Sequence, residues 1–272
     1  MLSLEILKNY QEDARILASD IGVTTRNLTP KELVRFGRSF ERQFVRAYPE
    51  RQIVDLYMRH RAEALLGAMM AKEQMDAEID DEQPASNKIG GPLPIRACWL
   101  GIGDDWEDIN GIYNGVQNAW VTGECENWIH SGTRLMAGTA GNAVRIGENA
   151  LHVIFGIDDT HAAPRVEVVQ FTIDGKEKPI LLCFFAQRVL PGAARPIKEL
   201  DNAYILKKDT VVKAELFISE AFGAISAFQT TFPRLIGVSY IKEPALRLQN
   251  PFSLSTNTPV LPGTRYEVVH TT

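Results

Sequence analysis

The sequence predicts an α+β protein in which three amphipathic helices precede an antiparallel β-sandwich. Through residues 1–82 apolar side chains recur every three or four positions, the period of a helix with one buried face. After Asn149 they fall into short runs broken by turn signals, the rhythm of an all-β domain. Between these regions, residues 83–92 read as a linker, so the predicted domains are 1–82 and 93–272.

The first helix is marked by Leu7, Tyr10, Ala14 and Leu17, with Gly22 placed as its C′ residue. The second has a strong start, since Thr29-Pro30-Lys31-Glu32 offers an N-cap hydroxyl, a proline at N1 and a glutamate at N3. Leu33, Phe36, Phe40 and Phe44 then keep one face apolar until Tyr48-Pro49 interrupts. A third helix is predicted from near Glu50, with Ile53, Leu56, Tyr57, Ala64, Leu65 and Ala68 buried. Together they would form a small bundle or arm.

Charge changes abruptly at the end of this segment. Arg26 to Arg61 carries nine basic and four acidic residues, whereas Lys72 to Glu82 carries one basic and six acidic. Gln83-Pro84-Ala85-Ser86 and Gly90-Gly91-Pro92 then read as solvated connector. Beyond it the sequence predicts a strand from Ile95 to Ile102 and a helix over 105–121. A long loop region is predicted over 123–149, and strands over 150–157, 165–173, 179–189, 203–207, 210–219, 234–242 and 264–270. Asp174-Gly175 is the hairpin signal between two of these strands. No helical crossover separates the strands, which argues against a parallel sheet.

Composition narrows the classes. Of 272 residues, 45% are hydrophobic and 23% charged, so wholesale disorder is excluded. A net charge of −5 argues against coating nucleic acid over the whole surface, though not against a local basic patch. The longest apolar runs, 150–157 and 180–186, are too short for a membrane-spanning helix. Met1-Leu2-Ser3-Leu4-Glu5 lacks the basic start of a secretory signal, and none is expected. Three scattered cysteines (98, 125 and 183) form neither a disulfide framework nor a paired zinc motif.

Candidate chemistry is sparse. Gly101-Ile102-Gly103 lacks the third glycine of a dinucleotide loop, and neither a P-loop nor a Gly-x-Ser-x-Gly elbow is present. Asp104, Asp105, Glu107 and Asp108 suit the first turn of a helix as well as a hard cation. Asp158, Asp159 and His161 could bind a metal with His130 or His152 as a further ligand, or form an ordinary turn before Pro164. Trp106, Trp120 and Trp128 could stack on sugars, or serve as core or interface anchors. No catalytic residue is indicated and no cofactor is expected.

The strand rhythm over 93–272 resembles that of the single jelly-roll capsid proteins of viruses and phages. Ala203-Tyr204-Ile205-Leu206-Lys207-Lys208-Asp209 running into Thr210 to Ile218, and the closing Gly263 to Val269, carry the likeness. The resemblance implies a jelly-roll-like sandwich and a structural protein that self-assembles into a homo-oligomer or shell. Its place would be the virion, or the cytoplasm before assembly. A β-barrel metal enzyme, or a carbohydrate- or receptor-binding module on a helical stalk, are the alternatives. In a capsid, the second helix offers a feature of its own. At about 100° per residue, Arg35, Arg38, Arg42 and Arg46 fall opposite Leu33 and the phenylalanines. An arginine stripe suits phosphate, so this face could meet genomic nucleic acid. Equally, it could be solvated or pair with the acidic stretch 73–82.

Overall fold

The structure, a computed structural model, describes residues 3–45, 51–80, 87–95, 125–129, 144–159, 166–181, 197–218 and 233–242. Among these residues four α-helices come first: α1 (Leu4–Asp20), α2 (Pro30–Phe40), α3 (Arg51–Arg59) and α4 (Arg61–Met75). The Ser3 hydroxyl caps α1, and Thr29 and Glu32 form the complete capping box at the start of α2. A π-helical turn, Glu41–Val45, continues α2. It keeps Phe44 buried in line with Phe36 and Phe40, their rings following one another along one side.

The predicted third helix is two helices, divided at His60. Their environments differ. α3 buries one side, through Ile53, Leu56 and Tyr57, whereas α4 is buried nearly all round. α4 lies between α1 and strands of the first sheet, and Ala64, Gly67, Ala68 and Ala71 let it pack closely there. No described helix is long and apolar enough to cross a membrane.

Among the described residues nine strands make two antiparallel sheets. The first contains β1 (Ile89–Pro94), β9 (Pro233–Lys242), β4 (Ala150–Asp159) and β7 (Ile197–Leu206), in that order. The second contains β2 (Cys125–Ile129), β8 (Val211–Ile218), β5 (Val166–Ile173) and β6 (Lys176–Leu181), with the short β3 (Val144–Arg145) also paired to β8. Alternation along β4 sends Leu151, Val153 and Phe155 to the helices, and Ile236, Val238 and Tyr240 of β9 join them in the same core. On the other face of the first sheet, Tyr204 of β7 meets Phe171 of β5 edge-on, with centroids 5.6 Å apart.

Several expectations change. Gly90-Gly91-Pro92 is not a solvated connector: it lies within β1 and is buried. The predicted loop region 123–149 contains β2 and β3, strands too short and polar to show a period. β7 begins at Ile197, ahead of its predicted start at 203, because polar Asp201-Asn202 interrupts the alternation. The hairpin follows its signal: Asp174 and Gly175 both have positive φ, 49° and 76°, and join Ile173 to Lys176. Residues 96–122, with the predicted helix 105–121, and the predicted strand 264–270 lie outside the described residues.

Candidate functional site at the bulged edge of β7

β7 is an edge strand, paired only with β4 among the described residues. Its register breaks: Ile154 and Gly156 of β4 face Tyr204 and Glu199 of β7, so a step of two on β4 spans a step of five on β7. Residues 200–203 form a bulge as a result, and bulges of this kind re-aim side chains. Gly156 permits it. A Cβ there would lie 2.7 Å from the Lys198 carbonyl oxygen and 3.1 Å from Leu56, so only glycine lets β7 and α3 come this close.

Between the bulge and β6 lies a groove of about 330 Å³, polar and open to solvent, lined by Lys178, Lys198, Glu199 and Asp201 among others. The Lys178 ammonium sits 5.0 Å from the centre of the Tyr204 ring, a cation–π contact. Burial, with the charge of Asp201, holds the Tyr204 hydroxyl above its ordinary pKa.

Glu199 also reaches the helices. Its carboxylate accepts two hydrogen bonds from Arg59, at 3.1 and 2.6 Å, the paired geometry a guanidinium favours. It also meets His60 Nε2 at 3.0 Å, while His60 Nδ1 meets Glu63 at 3.1 Å. The imidazole is buried and stacks flat on Phe155, centroids 5.1 Å apart. Burial alone would depress His60, but the bond and charge of Glu63, with those of Glu199, outweigh it and hold the ring above its ordinary pKa. The Arg59 bond in turn holds Glu199 below the usual carboxylate range.

The sequence-predicted residues are placed differently. Arg35 is half-buried and pairs with Asp80, which also binds Lys88 at 2.9 Å, so this member of the stripe is engaged by the acidic stretch of its own chain. Arg38 and Arg42 are exposed, and Arg46 lies outside the described residues. Asp158 and Asp159 end β4, opposite Arg234 and Pro233 of β9, while His161 and His130 lie outside the described residues. His152 does not join the two aspartates: six residues back along the same strand, it is roughly 20 Å away. Its ring is buried against Ser239, Nδ1 to Oγ 2.7 Å, and burial lowers its pKa to about 4. Among the described residues, no group of three or more His, Cys, Asp or Glu could hold a metal ion.

Arg59, His60 and Glu199 were not legible as a site. About 140 residues separate the two halves, and neither half has a motif. No protein-family model, curated protein or solved structure matches the chain.

Proposed function

We propose that this chain is a structural, self-assembling subunit of the jelly-roll type, a capsid or virion protein whose partner is further copies of itself. The observation that carries the reading is the strand order. Leaving aside the short β3, eight strands remain among the described residues. Numbered one to eight along the chain, they stand as 1-8-3-6 in one sheet and 2-7-4-5 in the other. A ribbon wound into two Greek keys produces this order, and such jelly rolls build capsid shells as well as lectins and cupins.

The helical layer favours a structural subunit over a cupin-like enzyme. α4 seals one face of the first sheet, and the inner-facing His152 is held neutral beside Ser239, with no metal-ligand cluster of His, Cys, Asp or Glu among the described residues. The edges favour contact between like chains. Among the described residues β6 and β7 are edge strands on one side of the two sheets, and the groove between them carries lysines and carboxylates together, a surface able to complement its own copy. Light scattering of the purified 30.3 kDa chain tests this. A mass that is a large multiple of the monomer supports the reading, and a monomer at every concentration overturns it.

A further inference from the structure

We propose that His60 is a proton-operated latch between the helical layer and the bulged edge of β7: as an imidazolium it bridges Glu63 and Glu199, and as a neutral imidazole it can hold only one of them. The geometry requires this. Both ring nitrogens lie within 3.1 Å of carboxylate oxygens, which only accept, and neutral imidazole has a single N–H to give. Losing the proton turns a lone pair toward one carboxylate and replaces attraction with repulsion. The proposal does not depend on the assembly reading.

The groups facing His60 are those of the elements packed on it. α3 presents Arg59, with Asp55 acting on that guanidinium; α4 presents Glu63, and β7 presents Glu199. β4 contributes the apolar face of Phe155. Arg59 holds Glu199 ionised and in place whether or not His60 carries its proton, so the carboxylate stays put and the imidazole is the moving charge. His60 also stands at the junction of α3 and α4 and uses its ring for these bonds rather than to cap α4.

The sign follows from a raised folded pKa. The latch is fully closed below about 6.5, the ordinary histidine value, and opens as pH rises through the higher folded value. The test is carried out on the full chain, with NMR of ¹⁵N-labelled histidine rings and hydrogen exchange over residues 51–59 between pH 6 and 9. Expected are a His60 ring protonated at both nitrogens at pH 6, a midpoint above 6.5, and a fall of about ten-fold in α3 protection, after correction for intrinsic exchange, per pH unit of raised midpoint traversed. His60→Gln should abolish that fall. Glu199→Gln should lower the midpoint, and it serves as the second variant if His60→Gln does not fold. A midpoint at or below 6.5, or α3 protection independent of pH in the unmodified chain, overturns the proposal.

Discussion

Tyr57 of α3 donates its hydroxyl to the carbonyl of Gly237 in the middle of β9, 3.0 Å away and 180 residues further along the chain. Tyr240 of β9 returns the contact, donating to the Ala64 carbonyl of α4. Each side chain crosses the boundary between helices and sheet, and each is buried in the core the two share. Helices and sheet should therefore unfold together. Urea denaturation followed by helix circular dichroism and by a sheet-specific infrared band should give coincident transitions. Tyr57→Phe should lower stability by only about 0.5–1.5 kcal/mol, since the Gly237 carbonyl keeps its bond from the Ile95 amide. Separate helix and sheet transitions would contradict the shared core.

Among the described residues Arg61 is the largest fully buried side chain, and its Nε and Nη2 find no hydrogen-bond partner there. Its guanidinium lies 4.2 Å from the centre of the Phe40 ring, and burial lowers its pKa to about 10. A cation–π contact offsets only part of the cost of burying that charge. Arg61→Met should leave the fold intact and raise stability by about 1–3 kcal/mol in urea denaturation. A loss of stability would show that the charge is compensated.

Glu32 closes the capping box of α2 and is itself buried, with Lys72 Nζ 2.7 Å from its carboxylate. Burial would raise its pKa, but the bonds from Lys72 and Thr29 outweigh burial and hold it below 4.5. A depressed carboxyl pKa means its contribution is present above about 4.5 and lost on acidification through the folded value. Glu32→Gln should flatten that acid limb in thermal melts recorded from pH 3 to 6. Lys72→Met should cost about 3 kcal/mol at neutral pH by stranding the buried carboxylate. An unchanged acid limb in Glu32→Gln would assign the acid sensitivity elsewhere.

The pairing of Arg35 with Asp80 divides the arginine stripe. If the exposed part meets phosphate, Arg38→Gln should reduce the slope of log affinity for single-stranded DNA against log salt by about 0.7. Arg35→Gln, already neutralised within its own chain, should leave the slope unchanged. Equal effects of the two substitutions, or no salt-dependent binding by the full chain, would remove nucleic acid from the reading.

Local signals carried much of this fold. Thr29-Pro30-Lys31-Glu32 announced α2, and Asp174-Gly175 announced its hairpin. The misreadings have physical causes. Gly90-Gly91-Pro92 has loop composition, yet its burial beneath Tyr240 makes it a strand, which only tertiary packing decides. The His60 divide was hidden because the apolar period runs on across it, from Leu56 and Tyr57 to Ala64 and Leu65. The latch was invisible for a different reason. Glu199 sits on a bulge whose register depends on β4, and nothing near it in sequence points to Arg59 or His60.

Electron microscopy of the purified full chain tests the central claim most directly. A jelly-roll subunit with complementary edges should form closed, symmetric particles built from many copies of the chain. Class averages showing such particles are the expected result, and Lys178→Glu with Lys198→Glu in the groove should disperse them. Fields of isolated single subunits at concentrations well above micromolar would contradict the account.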